Sequence, residues 1–242
     1  MTNRNVWLIL IANLCAGTSW ATNDPFVGQW RLNPLRSQLT DEMRVTQLAQ
    51  EKYAFDFGGG QPETIVIDGT DQPGFADTTL SVAVVGPTWK VIRKKDGHTV
   101  LTATWALSKD GQSLIDDFTS FAQDGSASNV KYVYKRAPAG GSGFAGNWVS
   151  ISEDVISPFT LQISVYDGDG LSFAGASGTT NVKFDGKSAR RLNANAMERI
   201  ESYKDKVIQT RQYRLSPDLR TLTITTHTVG HTAPNIFVFD RQ

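Results

Sequence analysis

The five-residue stretch "FVGQW" at residues 26–30 is repeated as "FAGNW" at residues 144–148. Each copy has the pattern Phe-x-Gly-x-Trp, and each is followed by residues typical of an extended strand. A motif that returns once, near the start of each half of a 242-residue chain, suggests an internal duplication.

Two longer stretches support the duplication, because they recur in the same order with one residue dropped from each. Residues 94–114 ("KKDGHTVLTATWALSKDGQSL") align with residues 203–222 ("YKDKVIQTRQYRLSPDLRTL"). Closer to the end of each half, "NVKYVYKR" at 129–136 aligns with "NIFVFDR" at 235–241. We therefore predict two tandem copies of one structural unit.

Each copy has the pattern of short antiparallel strands. Stretches such as "TLSVAVV" (79–85) and "VLTATWAL" (100–107) are rich in β-branched and aromatic residues. The segments "SKDGQS" and "SPDLRT" are typical of turns between neighbouring strands. We predict an all-β fold of two small antiparallel meander barrels with about eight strands each. In the second copy the predicted strands are 146–152, 159–166, 170–176, 179–185, 195–203, 206–215, 219–228 and 235–241.

The ends and the linker define the predicted domains. Residues 1–21 have an early positive charge, an apolar stretch and a small-x-small pattern ending at Ala21, so we predict a signal peptide for export to the periplasm or beyond. The first barrel is predicted at 22–137 and the second at 144–242. Small residues, Pro and Gly at 138–143 are typical of a linker.

Charge and cysteine content exclude several classes of function. Removal of the predicted leader takes away Arg4 and the only cysteine, leaving 23 basic residues against 24 acidic ones. A net charge near −1 argues against nucleic acid as a partner. The stretch in the leader is too short for a membrane span, and no later apolar run is long enough. The sequence carries no pattern that defines an oligomeric state.

The repeated motif resembles the openings of two families of ligand-binding barrels. The Gly-x-Trp within it is similar to that of lipocalins, and the full Phe-x-Gly-x-Trp is similar to that of fatty-acid-binding proteins. With "KFDGKS" (183–188), "LSKDG" (107–111) and the terminal "VFDR" (238–241), the chain resembles bacterial exported lipocalin-like proteins. The resemblance covers both copies and implies a lipocalin-like barrel that holds a small ligand.

The motif residues have a structural interpretation that is independent of this resemblance. Gly28 and Gly146 allow the first strand of each copy to bend at the end of a barrel. Trp30 and Trp148 follow two residues later, on the same strand face, and would fill that end. Burial of an indole removes about 200 Å² from water, which is worth several kcal/mol. We predict that all four residues are structural.

Comparison of the two copies indicates a candidate ligand site. Leu101, Ala103, Trp105 and Leu107 form an apolar row on one strand face, and their counterparts are Gln209, Arg211, Tyr213 and Leu215. If this face points inward, Arg211 requires an anionic partner. The Arg-x-Tyr pair resembles the carboxylate-binding pair of fatty-acid-binding proteins, so Arg211, Tyr213 and Gln209 are the predicted ligand-binding residues. The alternative is an outward Arg211 with Ile208, Thr210 and Gln212 inside.

A second candidate site is the first barrel, whose apolar row would bind a purely apolar molecule. The segment 39–53 ("LTDEMRVTQLAQEKY") decides its form. A helix with Thr40 as its N-cap would cover the barrel mouth, whereas a strand from Arg44 onward would join the wall.

Neither catalytic nor metal-binding residues can be assigned from the sequence. His227 and His231 would be far apart on an extended chain, and His98 lies in a predicted turn. "YDGDG" (166–170) lacks most ligand positions of a calcium loop. Asp116 and Asp117 are adjacent, so on a strand they face opposite ways. We predict no metal and no cofactor.

The sequence supports one preferred function and two alternatives. The preferred function is that of an exported non-enzymatic protein that binds a small hydrophobic or amphipathic ligand. The first alternative is a structural or protein-interaction module with filled barrels, expected to leave less than about 100 Å³ inside each. The second is a hydrolase or isomerase with its site inside a barrel.

Overall fold

The computed structural model describes residues 24–59, 62–122, 125–138, 140–155, 160–175 and 178–242. The predicted signal peptide lies outside these residues. The described residues form an all-β protein with antiparallel strand pairing, as predicted. The only helical element among them is a short 3-10 turn at Phe75–Asp77, and no described helix has the length and apolar character needed to cross a membrane.

The strands form two nearly closed barrel-like sheets. The ten strands of the first barrel are β2 (Glu42–Ala49), β3 (Lys52–Asp56), β4 (Glu63–Val66), β5 (Gln72–Pro73), β6 (Thr78–Val85), β7 (Thr88–Lys95), β8 (His98–Leu107), β9 (Ser113–Phe121), β10 (Ala127–Arg136) and β11 (Gly146–Val155). The nine strands of the second barrel are β1 (Gly28–Leu32), β12 (Thr160–Tyr166), β13 (Gly170–Gly175), β14 (Gly178–Val182), β15 (Ala189–Asn193), β16 (Ala196–Tyr203), β17 (Lys206–Leu215), β18 (Thr221–Thr228) and β19 (Asn235–Arg241). The predicted count of eight per barrel was therefore slightly low, and β15 was missed.

The two halves exchange their opening strands. β1, which carries the first motif, pairs with β12 and β19 of the second barrel. β11, which carries the second motif, pairs with β10 and β2 of the first barrel. The expectation that each half closes on its own motif strand is therefore wrong. Sheet membership does not follow the predicted ranges 22–137 and 144–242.

The connection between β10 and β11 explains the exchange. The predicted linker falls between β10 and β11, and its described residues, 138 and 140–143, belong to the connection that returns β11 against β10. Ala137 N donates a 2.8 Å hydrogen bond to Asn147 O at the base of this connection. The meander from β5 to β10 therefore continues directly into β11, and β11 in turn pairs with β2. β1 is left to complete the second barrel, between its first strand β12 and its last strand β19.

Each barrel has its own hydrophobic core. Trp30, with no exposed surface, packs among residues of the second half, including Ile163, Tyr213 and Phe239. Trp148, 1% exposed, packs in the core of the first barrel. The predicted burial of both indoles is confirmed, although each fills the barrel built mainly from the other half.

An arginine seals each tryptophan-filled end in the same way. In the first barrel Arg136 lies 4.1 Å from the Trp148 ring centre and donates hydrogen bonds to Gly111 O, Gly143 O and Ala145 O. The corresponding residues of the second barrel are Arg241 and Trp30, also 4.1 Å apart, and the carbonyls are those of Leu219, Pro25 and Val27. Nearly identical contacts at the two ends agree with a duplicated unit.

The open ends of the barrels, opposite the tryptophans, face each other. The ring centres of Phe75 and Tyr203 lie 4.7 Å apart across this junction. Gly59 N donates to Val229 O at 2.7 Å, and His231 Nε2 lies 3.1 Å from Phe57 O.

The segment 39–53 contains strand and no helix. Met43 and Val45 lie on the inward face of β2 and belong to the core of the first barrel. They pair with Trp148 and Gly146 of β11, respectively. The expectation of a helical lid is wrong, and the alternative of a wall strand is confirmed. Thr40 caps no helix, and its backbone N–H instead donates to Asn235 Oδ1.

Candidate functional site

The first barrel encloses a cavity of about 420 Å³ that opens toward the junction. Its wall is largely apolar and includes residues from strands β2, β6, β7, β8 and β9 and from the turn after β3. The apolar lining residues are Met43, Phe57, Phe75, Leu80, Val91, Leu101, Ala103, Trp105, Phe118 and Ile208. The predicted apolar row of β8 therefore faces this space through its first three members.

Four acidic and two basic side chains interrupt this wall: Asp41, Glu63, Asp116, Glu201, Arg93 and Arg211. Strand register places one of them, Asp116, beside two aromatic residues. Trp105 of β8 lies directly opposite Asp116 of β9, which lies opposite Tyr132 of β10. Side chains of directly opposed residues share a sheet face, so Trp105 and Asp116 are both on the cavity wall.

Asp116 is the most unusual of these groups. It is only 6% exposed, and its Oδ1 has no hydrogen-bond partner among the described residues. Burial raises the pKa of Asp116 to about 7. The nearby Trp105 indole N–H stabilises the carboxylate and so lowers the pKa of Asp116 in part. The geometry between the two groups is not that of a hydrogen bond. The charges of Asp41 and Asp117 add to the rise.

Asp41 forms a second polar group beside Asp116. The hydroxyl of fully buried Tyr134 donates a 2.5 Å hydrogen bond to Asp41 Oδ2. Burial raises the pKa of Asp41, while the Tyr134 hydrogen bond and the nearby His231 oppose that rise. The pKa of Tyr134 lies well above its ordinary value, chiefly because of burial and then because of the neighbouring carboxylates.

Glu63 and Arg93 form an ion pair nearer the junction. Their side chains are 5% and 17% exposed, and both nitrogens of the guanidinium fork contact the carboxylate, at 2.6 and 2.8 Å. Glu63 also accepts a hydrogen bond from Phe75 N, and Arg93 donates one to Thr78 Oγ1. Each charge is thus compensated within the protein.

The second barrel encloses a smaller cavity of about 290 Å³. All three residues predicted to bind a ligand, Gln209, Arg211 and Tyr213, line it. Tyr213 and Leu215 of the same strand face are buried in the second core. The face containing Arg211 therefore points inward, and the alternative with an outward Arg211 does not hold.

Gln209 and Arg211 also line the first cavity, because they lie where the two open ends meet. Arg211 Nε donates a 2.7 Å hydrogen bond to Gln209 Oε1. Its Nη2 lies 3.7 Å from Glu201 Oε2, and Arg199 approaches the same carboxylate oxygen at 3.6 Å. The anion that the sequence required for Arg211 is therefore supplied in part by Glu201.

The four motif residues lie at the far ends of the barrels, away from both cavity linings. A methyl group added at Gly28 would approach the Arg241 guanidinium to 2.8 Å, and one added at Gly146 would collide with Arg136. The glycines thus make room for the sealing arginines as well as for the strand bend.

Sequence reasoning missed the acidic residues of the first cavity. Asp41 lies in a segment that suits either a helix or a strand, and Asp116 is adjacent to Asp117, so neither local pattern indicates a site. The duplication contained the missing signal, because Asp116 aligns with Ile224 and Tyr134 with Phe239. Polar residues that replace core residues at inward positions of one copy indicate a site present in that copy alone.

The histidines do not form a metal site. No group of three or more potential ligands is present in the described parts of the chain. His227 lies on β18, whereas His231 contacts Phe57 across the junction.

No protein-family model, curated protein or solved structure matches this chain.

Proposed function

We propose that this protein binds a small, mainly apolar or amphipathic ligand, without catalysis, in the cavity of its first barrel. The observation that carries the proposal is the volume and chemistry of this cavity. At about 420 Å³ it falls within the range of small-molecule pockets, about 300–1,000 Å³. Its wall is mainly apolar with a few polar groups, which is the composition that such pockets have.

Gln209 and Arg211 form the polar rim of this site. They lie between the two cavities, so a ligand entering the first barrel through the junction would pass their side chains. In this proposal the rim contacts the outer end of the ligand, while Tyr213 lines the smaller second cavity. The resemblance of the motifs to lipocalins and fatty-acid-binding proteins supports the same function.

The alternative function, a structural or protein-interaction module, predicts barrels whose interiors are filled by side chains. That alternative requires less than about 100 Å³ of free space in each barrel, and the two cavities of about 420 and 290 Å³ are larger. The space inside the barrels therefore favours a small ligand.

The test is displacement of an apolar fluorescent dye by eight- to twelve-carbon compounds, compared between two variants. Ala103→Trp places an indole in the first cavity, whereas Thr104→Trp places one on the exposed outer face of the same strand. We expect at least a tenfold loss of affinity in Ala103→Trp and unchanged affinity in Thr104→Trp. Wild-type affinity in Ala103→Trp, or no binding tighter than millimolar in the wild type, would contradict the proposal.

We also propose that the chain is exported and cleaved after Ala21. The charge, apolar stretch and small residues of 1–21 support this. Expression of the full chain in a bacterium, followed by N-terminal sequencing of the periplasmic fraction, should give a first residue of Thr22. Retention of an uncleaved chain in the cytoplasm would contradict it.

A further inference from the structure

The charges around the first cavity do not balance. Of its four acidic residues, Glu63 is paired with Arg93, and Glu201 lies within ion-pair distance of Arg211. Asp41 and Asp116 form no ion pair with any lysine or arginine in the part of the chain that the structure describes. Two carboxyl groups in an apolar barrel must therefore be protonated or find a cation.

We propose that the first cavity binds a small amine with an apolar body, whose ammonium group is held by Asp116 and secondarily by Asp41. The inference rests on the proposed ligand-binding function and names its ligand class. Binding is reversible and involves no covalent step.

The position of Asp116 supports an ammonium ligand. Its carboxyl group is almost completely buried, lines the cavity, and has an oxygen without a hydrogen-bond partner among the described residues. An ammonium group has three donors and a positive charge, so it supplies both the missing hydrogen bond and the missing counterion. In a site of low polarity, such a charged hydrogen bond is stronger than one between neutral groups.

The aromatic wall adds a second feature that suits a cation. Trp105 lies opposite Asp116, and Phe57 packs against the Trp105 ring at 6.2 Å between ring centres. Phe118 also lines the same space. Faces of aromatic rings attract ammonium groups, and the attraction grows when water is excluded.

An anionic ligand fits this depth of the barrel poorly. A carboxylate beside Asp116 and Asp41 would be repelled by both. The arginines of the same cavity already contact Glu63, Gln209 and Glu201. The carboxylate-binding role that the Arg-x-Tyr resemblance implies is therefore less suited to the first cavity than recognition of a cation.

Binding should depend on pH through Asp116. The groups that face Asp116 are Trp105 on β8, Tyr132 and Tyr134 on β10, and Asp41 before β2. Four further charged groups are less direct. Asp117 is adjacent to Asp116 on the outer face, and His231 lowers the pKa of Asp41. The ion pair of Glu63 and Arg93 lines the same cavity. Because the pKa of Asp116 is about 7, acidification to pH 6 protonates most of the carboxyl. A primary amine stays protonated over this range.

The experiment is calorimetric titration of the full-length protein with octylamine, octan-1-ol and octanoate, which share one chain length. At pH 8 we expect octylamine to bind at least tenfold more tightly than octan-1-ol, and octanoate to bind most weakly. Between pH 8 and pH 6, octylamine affinity should fall about tenfold because the ionised fraction of Asp116 falls by that factor. Octan-1-ol affinity should stay constant.

Two variants complete the test. Asp116→Asn should bring the ratio of octylamine affinity to octan-1-ol affinity close to one, and the matched control Asp117→Asn should behave as wild type. The pH series on wild-type protein tests the inference even if Asp116→Asn does not fold. Equal affinities for octylamine and octan-1-ol would overturn the inference and leave the proposed function standing. Failure of every probe to bind more tightly than millimolar would overturn both.

Discussion

The guanidinium of Arg241, on the last strand, lies 4.1 Å from the centre of the Trp30 indole on the first strand. The two residues come from opposite ends of the described chain, yet they close the same barrel. Arg241 also donates hydrogen bonds to the carbonyls of Pro25, Val27 and Leu219. One side chain thus connects the motif strand, the final strand and the turn before β18.

Arg241→Ala should reduce the free energy of unfolding by about 3 kcal/mol, because three carbonyls lose a charged donor and the indole loses its cover. Arg241→Lys should cost nearly as much, since an ammonium group cannot reproduce the planar fork. Urea unfolding measures both. Arg220→Ala, at an exposed side chain nearby, is the control. A loss below about 1 kcal/mol in Arg241→Ala would show that the seal contributes little to stability.

Gly28→Ala should also destabilise the protein, by about 2 kcal/mol. The backbone φ of Gly28 is +148°, and a methyl group there would press against the Arg241 guanidinium. Gly175→Ala is the matched control, because a methyl group there meets only ordinary contacts. Equal midpoints of thermal unfolding for the two variants would contradict the view that Gly28 makes room for the Arg241 guanidinium.

The strand exchange predicts which fragment of the chain folds. A fragment of residues 36–155 contains all ten strands of the first barrel, whereas a fragment of 24–137 lacks β11 and the core residue Trp148. We expect cooperative unfolding and an ordered near-ultraviolet circular dichroism spectrum only for 36–155. If 24–137 folded with equal stability, each half would be able to close on its own strand.

Asp116 should make stability depend on pH. Its carboxyl keeps a proton up to about pH 7 in the folded protein but loses it near pH 3.8 when unfolded. The folded state thus binds more protons between these values, so stability falls as pH rises from about 4 to 7. Asp116→Asn should remove this loss and be more stable than wild type at pH 8 by about 4 kcal/mol.

Urea unfolding of wild type, Asp116→Asn and Asp117→Asn at pH 4.5, 6 and 8 measures the effect. Asp117 is exposed on the outer face, so its variant should follow the wild-type pH dependence. If the free energy of unfolding changed with pH in the same way for wild type and Asp116→Asn, burial would not raise the pKa of Asp116 in the folded protein.

Many strands of the two barrels could be predicted from local sequence patterns. Alternation of apolar and polar residues identified β17 at its observed bounds, and turn residues such as those of "SPDLRT" located its end. β15 (Ala189–Asn193) was missed because "ARRLN" has little alternation and pairs with β16 through an irregular register. The local sequence of segment 39–53 is compatible with a helix or a strand. Pairing with β11, which lies about 100 residues later, decides for the strand.

The sequence by itself determined the duplication, the all-β fold and the burial of Trp30 and Trp148, whereas the inward face of β17 was left between two alternatives that the structure decided. These follow from side-chain periodicity and repeated motifs, which act over a few residues. Only the tertiary structure decided which motif strand closes which barrel, because β1 and β11 offer similar edges and similar tryptophans to either sheet. In the structure β11 pairs with β10 and β2, and β1 pairs with β12 and β19. The same long-range register gathers Asp41, Asp116 and Trp105 around one cavity, which no local pattern encodes.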